Sequence, residues 1–237
     1  MRSVLLVALG ACSFQGISPL SGSDAHAIDG ARTDGPMRDA LEIDAPLADA
    51  PAGCEGVGAF AVCPSSQPTQ PLTLVDVLIN TDDCFGGQKV SPGAGAPMLC
   101  VLSGTTVSIG GLVRGEGSLP LALLATGSLT VTQGSTLDVS SSRANGPGAG
   151  ANAAACTRVS GSSNSMGGAG GAGGSFGTAG GKGGDGATPG PGAAATATAS
   201  FVRGGCGGGD GGDGMGTGGA GGAGGGAVAL LARGSLT

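Results

Sequence analysis

Residues 122 to 140 read ALLATGSLTVTQGSTLDVS, and the fold class turns on this stretch. Three short apolar runs are separated by Thr126-Gly127-Ser128 and by Thr132-Gln133-Gly134-Ser135. Leu129 with Val131, and Leu137 with Val139, alternate with polar residues at the period of two that a strand with one buried face requires. In order, the stretch reads strand, corner, strand, corner, strand, which is one coil of a parallel β-solenoid. Its first nine letters recur as ALLARGSLT at 229 to 237, differing only where Thr126 becomes Arg233. In a solenoid a recurring phrase is a coil motif, because each coil buries its face only against the next. Residues 227 to 237 are therefore expected to return beside residues 119 to 132 as an adjacent rung, about 4.8 Å away. The alternative is a truncated form of a longer protein, since the second copy stops where the first continues VTQGSTLDVSS.

The same grammar extends upstream. LTLVDVLI, MLCVL, TTVSI, LPLALLA, SLTVT and TLDVS alternate with breaks at Gly104, Gly110-Gly111, Gly115 to Gly117, Gly127 and Gly134. No stretch keeps a 3.6-residue period between caps, so helices are not expected. Composition narrows the choice further. Of 237 residues, 54 are Gly and only 2% are aromatic, with neither Trp nor Tyr. A core of large side chains cannot be assembled from this; the chain must use small Ala, Val and Leu layers or pack backbone on backbone.

Backbone packing is the reading for residues 144 to 226. Gly stands at 168, 171, 174, 177, 180, 183 and 186 without a miss, and GGAGGAGG occurs at 167 to 174 and again at 218 to 225. A period of three is that of polyproline II, and an inward Gly every third residue lets such helices approach and hydrogen-bond side by side. Pro is nearly absent from these runs, which excludes collagen. A disordered glycine-rich loop is the competing reading.

The N-terminus, MRSVLLVALGAC, has Arg2, an apolar run from Val4 to Leu9 and small residues before Cys12. That is the order of a secretory signal, and the run is far shorter than the roughly 20 residues that span a bilayer. Leu9-Gly10-Ala11-Cys12 resembles a bacterial lipobox. The resemblance implies acylation of Cys12 after removal of residues 1 to 11, and Ser13 after the Cys implies the outer membrane. The next segment, 12 to 53, places Asp24, Asp29, Asp34, Asp39, Asp44 and Asp49 at every fifth position. A period of five fits neither a helix stripe nor a strand face. Residues 13 to 53 carry seven acids and two Arg, about −5 of the formal −6. This is a solvated, self-repelling spacer with an end-to-end distance of about 35 Å as a flexible coil.

Beyond Cys12 six cysteines remain, Cys54, Cys63, Cys84, Cys100, Cys156 and Cys206. In a secreted chain an even remainder reads as disulfides. Short loops favour Cys54 with Cys63 and Cys84 with Cys100, leaving Cys156 with Cys206. The spacings do not make a zinc knuckle, and the single His26 lies in the spacer.

Catalytic and metal motifs are sparse. GGDGGDGMG at 208 to 216 and GGKGGDGAT at 180 to 188 match a calcium nonapeptide, with Asp213 and Met215 in the ligand and apolar positions, but such sites need tandem stacking. AGGKGG fails as a phosphate loop, since Phe176 stands where its first Gly belongs. No Ser has a His partner. Asp82 and Asp83 fit a paired-carboxylate site or, more simply, a turn before Cys84. Neither a basic patch nor an aromatic platform for nucleic acid is present. No cofactor and no metal are expected.

GGAGGAGGSFGTAGGKGGDG resembles the glycine-rich polyproline-II bundles of certain antifreeze proteins and phage tail-fibre adhesins. The whole layout of lipobox, Asp-Ala spacer, Cys-bearing β runs ending in PLALLATGSLTVTQGSTLDVSS and glycine-rich excursion resembles large lipoproteins of predatory, myxobacterial-type soil bacteria. The expectation is an all-β protein: signal peptide 1 to 11, lipidated Cys and spacer 12 to 53 forming a disordered tether, a small parallel β-solenoid 54 to 143, a glycine-rich polyproline-II-type insertion 144 to 226, and returning strand 227 to 237. The expected role is structural or adhesive without catalysis. Its setting is the outer membrane, facing the cell surface or the periplasm, held by the lipid anchor and partnered by a surface glycan or envelope component. The alternatives are a truncated piece of a β-helical enzyme acting on polysaccharide, and an ice- or surface-binding protein.

Overall fold

The structure is a computed structural model that describes residues 53–56, 60–93, 96–152, 156–165, 167–176, 179–185 and 201–237, together with the backbone of strands at 4–9 and 13–15. The strands are β1 (Val4–Leu9), β2 (Ser13–Gln15), β3 (Leu72–Val75), β4 (Leu78–Asn80), β5 (Gln88–Val90), β6 (Leu99–Gly104), β7 (Val107–Gly110), β8 (Leu112–Glu116), β9 (Leu121–Ala125), β10 (Leu129–Val131), β11 (Thr136–Asp138) and β12 (Ala227–Ala232). The protein is all-β, and among the described residues no α-helix occurs.

Three sheets share the strands, in the orders β1-β12-β9-β6-β5, β10-β7-β3 and β2-β11-β8-β4. The chain deals consecutive strands out to consecutive sheets. β6, β7 and β8 enter one sheet each, and β9, β10 and β11 then pair beside them in parallel. β3 and β4 precede β7 and β8 in the same way. Between β3 and β12, two strands have no counterpart among the sequence runs. β5 hairpins antiparallel to β6, and β8 was hidden by Gly115, where an added Cβ would lie 3.2 Å from Val139. LTLVDVLI is two strands rather than one. The chain turns at Asp76, whose φ is 46° and whose Oδ1 accepts a hydrogen bond from Leu112 N at 2.8 Å.

The two copies of the opening phrase lie side by side. β12 pairs β9 in parallel with Ala229 opposite Ala122, Leu230 opposite Leu123 and Leu231 opposite Leu124. The match continues past the strands: Gly234 N donates to Gly127 O, and Leu129 and Leu236 form a parallel bridge. The Thr130 and Thr237 hydroxyls, 107 positions apart in the chain, meet at 3.3 Å. β1 runs antiparallel along the other edge of β12, with Val4 opposite Ala232 and Leu9 opposite Ala227.

Stacking like on like builds the core. Leu102, Leu123 and Leu230 form one ladder, facing Val107, Ile109 and Leu129 from the second sheet and Val113 and Leu137 from the third. The opposite face of the first sheet is covered too. Val101, Ala122, Leu124, Ala229 and Leu231 pack with Val62, Val90 and Val202. A parallel sheet buried on both faces reads as an unbroken apolar run, hence LALLA and AVALLA. The described side chains of both clusters come from residues 60 to 236.

The single difference between the copies has a physical reason. Arg233 reaches the 54–63 disulfide loop and donates to both oxygens of Glu55, through Nε at 3.3 Å and through Nη2. The Glu55 side chain is 3% exposed. Arg233→Thr, which makes the two copies identical, is expected to destabilise by about 1–3 kcal/mol, because a buried carboxylate loses its donors. Glu55→Gln in the same background should restore part of that loss in chemical denaturation.

The glycine tract is held by main-chain hydrogen bonds at every third residue. Cys206, Gly209 and Gly212 donate to Ser175, Ala172 and Ala169 of the 167–176 segment at 2.8–3.1 Å. One residue back in phase, Gly205, Gly208 and Gly211 donate to Gly225, Gly222 and Gly219 at 2.8–2.9 Å. The remaining phase serves a third neighbour, as Gly161 N and Asn164 N donate to Asp210 O and Asp213 O. Segment 167–176 is itself linked to 156–165 through Ala169 N→Ser162 O and Ala172 N→Val159 O, and to 179–185 through Gly170 N→Gly184 O and Gly173 N→Gly181 O. The central run thus donates to two neighbours and accepts from a third in turn, the three-residue repeat of an extended chain of this kind, and at the crowded positions only glycine permits the approach. A Cβ on Gly168, Gly171 or Gly174 would stand 1.9, 2.1 or 2.2 Å from a carbonyl oxygen of the 206–212 run.

Candidate functional site

A cleft of about 470 Å³ with a polar lining opens where the sheet corners meet the glycine tract. Asn80, Asp82, Glu116, Ser118, Asn145 and Asn152 supply its polar lining. Asn80 ends β4 and Glu116 ends β8, so parallel pairing sets them side by side in register. Thr81, fully buried, ties the corner down by donating from both its amide and its hydroxyl to Glu116 O at 2.8 and 2.9 Å. Asp82 follows in the turn and accepts the Ser118 amide at 2.9 Å as well as the Ser118 hydroxyl.

Asp82 thus repeats at one corner what Asp76 does at another. Each carboxylate holds a backbone amide 36 positions later in the chain. The Ser118 hydroxyl and amide, with the Lys89 charge adding a smaller pull, hold the Asp82 carboxyl below the usual range against a weak opposing effect of burial. Asp83 is exposed and lines a separate, apolar hollow beside Phe85 and Leu78. The two acids therefore do not face a common point, and Asp82 is a corner clamp. What the cleft offers chemically is a set of amide and carboxylate oxygens suited to hydroxyl groups.

A second acid is similarly engaged. Arg114 on β8 and Asp138 on β11 are register partners, joined at 2.6 Å, and Arg114 also donates to Ser140 O at 3.2 Å. Burial is the largest single influence on Asp138 and works to raise its pKa, but the Ser140 hydroxyl and amide together with Arg114 outweigh it, and the net direction is down. For a carboxylate whose folded pKa is depressed, the stabilising contribution is complete above the unfolded value and is lost as pH falls through the folded value. Both acids start from 3.8. The thermal midpoint is therefore expected to hold steady above about pH 5 and to fall below about pH 4. An Asp82→Asn, Asp138→Asn double variant should show a lower plateau and a shallower acid limb; an unchanged acid limb would contradict the assignment.

The six cysteines form three disulfides, Cys54–Cys63, Cys84–Cys100 and Cys156–Cys206, the pairs that loop length favours. The first anchors the Glu55 loop, the second pins the 81–86 turn to β6, and the third ties the start of the 156–165 segment to the central 201–214 run. Cys12 and His26 lie outside the described residues. The residues of the calcium motif do other work. Asp213 Oδ1 accepts Gly218 N and Asp210 Oδ1 accepts Gly221 N, each at 2.7 Å, and Asn152 Oδ1 continues the series with Gly224 N at 3.0 Å. Met215 is 96% exposed, and Lys182 pairs with Asp185 at 3.2 Å. Among the described residues no three His, Cys, Asp or Glu groups converge on a metal-sized point.

Glu55, Asp76, Asn152 and Arg233 carry structural roles that sequence reasoning missed. Only the Thr126-to-Arg233 difference between the repeats flagged one of them. Comparison with protein-family models, curated proteins and solved structures finds no match. No helix among the described residues is long and apolar enough to cross a membrane.

Proposed function

We propose that this chain is a lipid-anchored surface protein of the outer membrane, with a parallel β-solenoid body and a polyproline-II-type glycine bundle, serving a structural or adhesive role without catalysis. The observation that carries the reading is the three-way main-chain network of the glycine tract. Its rigidity comes from backbone cross-links and a disulfide rather than from large side chains, which suits an element that presents surface more than one that encloses a substrate. The cleft fits the same role, since its best-placed acid is already committed to holding a coil corner. In this reading acylated Cys12 holds the membrane, the acidic spacer sets the standoff, and the cleft with the adjoining tract meets a glycan or another envelope component.

Metabolic labelling with an alkyne fatty acid tests the anchor: label on the wild type and none on Cys12→Ser is the expected result, and equal labelling rejects it. The folded protein screened on a glycan array, with turnover of every bound glycan measured in parallel, tests the role. Binding without turnover is expected, while turnover would favour a polysaccharide-acting enzyme. Shaping of ice crystals by the same preparation would favour the ice-binding alternative.

A further inference from the structure

Among the described residues, the end of the solenoid formed by β3 and β4 is uncovered. Each of these strands pairs on one side only, ending the orders β10-β7-β3 and β2-β11-β8-β4. Beside them an apolar hollow of about 240 Å³ reaches Leu74, Ile79 and Leu102 of the core. Phe85 stands at this hollow and is 95% exposed. Val75, Leu78 and Leu112, each more than half exposed, gather around the neighbouring corner where Asp76 holds Leu112 N. The Phe85 ring projects from a rigid base. Cys84 N donates to Asn80 O at 2.9 Å, Gly87 N donates to Cys84 O at 3.0 Å, and the Cys84–Cys100 bridge ties the turn to β6.

A knob and a hole of matching size thus share one face. A cavity of about 150 Å³ holds a benzene ring, so the hollow has room for one phenyl group. A surface that carries both is self-complementary, which is what a twofold pair requires, since the same patch serves both partners. The charges are self-complementary too. Asp83 lines the hollow and Lys89 follows on β5; both are exposed, and neither belongs to an ion pair among the described residues. We propose that this end of the solenoid binds a second copy of the chain, with Phe85 of each copy seated in the hollow of the other and Asp83 facing the partner's Lys89. Phe85 carries about 150–250 Å² of surface, and with the three half-exposed aliphatics the patch reaches a few hundred Å², about the size that marks an interaction site. Two such patches with their polar rim come to the low end of the roughly 1,200–2,000 Å² buried by specific pairs, so the dimer forms reversibly. The same contact covers the open edges of β3 and β4, which would otherwise template unspecific strand pairing.

Sedimentation velocity over a range of concentrations tests this on the disulfide-intact full chain carrying Cys12→Ser, so that no acyl group contributes to association. A reversible monomer–dimer equilibrium is expected. Phe85→Ser should weaken it about tenfold or more, as the loss of a central aromatic anchor does, and should leave the thermal midpoint of the monomer in place, because the ring is exposed within one copy. Asp83→Lys should also weaken the dimer by setting two cations against each other, and adding Lys89→Asp should restore it by reversing the pair. The reversed pair has the net charge of the wild type, so rescue cannot come from overall charge. A chain that stays monomeric to about 1 mM, or a dimer unmoved by Phe85→Ser, overturns the proposal. A reversed pair that fails to rescue overturns the twofold arrangement. The anchor and adhesive readings are untouched by these results, since neither uses this face.

Discussion

Gly209→Ala is expected to dismantle the glycine tract, whereas Gly222→Ala, on a neighbouring segment, should be close to silent. The same methyl group is added in both cases. At Gly209 an added Cβ would stand 1.9 Å from Val159 O, and the contact is with backbone, which cannot rotate away. At Gly222 nothing lies within 4 Å of the added Cβ. Overpacking costs about 1–3 kcal/mol where a core can shift, and Gly209 belongs to the upper end because the 156–165 segment would have to leave, taking the Gly161→Asp210 and Asn164→Asp213 links with it. Ala at an open glycine instead reduces the freedom of the unfolded chain and is neutral to stabilising by about 0.4–1 kcal/mol. Hydrogen exchange of Gly205, Gly208 and Gly211 reads the outcome directly: protection lost in Gly209→Ala and retained in Gly222→Ala. Equal tolerance at both positions would mean that the tract is not cross-linked in three phases.

The second large effect is expected from the Cys156→Ser, Cys206→Ser double variant. This bridge closes a loop with a sequence separation of 50, for which the chain-entropy model gives about 4 kcal/mol. The shorter loops, with separations of 9 and 16, come to about 3 kcal/mol each in the same model. The larger loss falls on the part least able to bear it, because the tract buries small side chains such as Ala169 and Ala172 and gains little from apolar burial. The tract should lose exchange protection at lower denaturant than the sheets, splitting one unfolding transition into two. β12 reports on the boundary, since it leaves the tract through Ala227 N→Ala149 O and enters the sheet beside β9. A single unshifted transition would show that the backbone network holds without its clamp.

Much of this architecture was legible in residues 122 to 140 and their echo at 229 to 237. Strand identity follows from a period of two, and strand neighbourhood follows from repetition, because two strands with the same inward side chains pair in register like on like. Leu123 beside Leu230 is that rule made visible. The disulfide pairs were legible for a related reason: closing the shortest loops costs least entropy. The strand β8 was not legible, because Gly115 looks like a corner in sequence; it is a strand residue here because Val139, Leu121 and Ala149 crowd it. Asp82 looked like a turn former or a catalytic acid and Asp76 drew no reading, and the amides they hold lie 36 positions away, a distance no local pattern encodes.

The sequence by itself determined the periods: two in the strands, three in the glycine tract, five in the acidic spacer. Each is a property of one chain segment turning about its own axis, so it can be read without knowing the neighbours. The tertiary structure alone decided which segment lies against which. Glycines spaced by three fall into two kinds, those such as Gly209 with a carbonyl pressed against them and those such as Gly222 facing open space, and nothing in GGAGGAGG tells them apart. It likewise decided that Arg233 closes on Glu55 while Arg203 lies against Phe176. The partner of a charge is set by burial and by contacts between remote segments, and neither is written in the residues beside it.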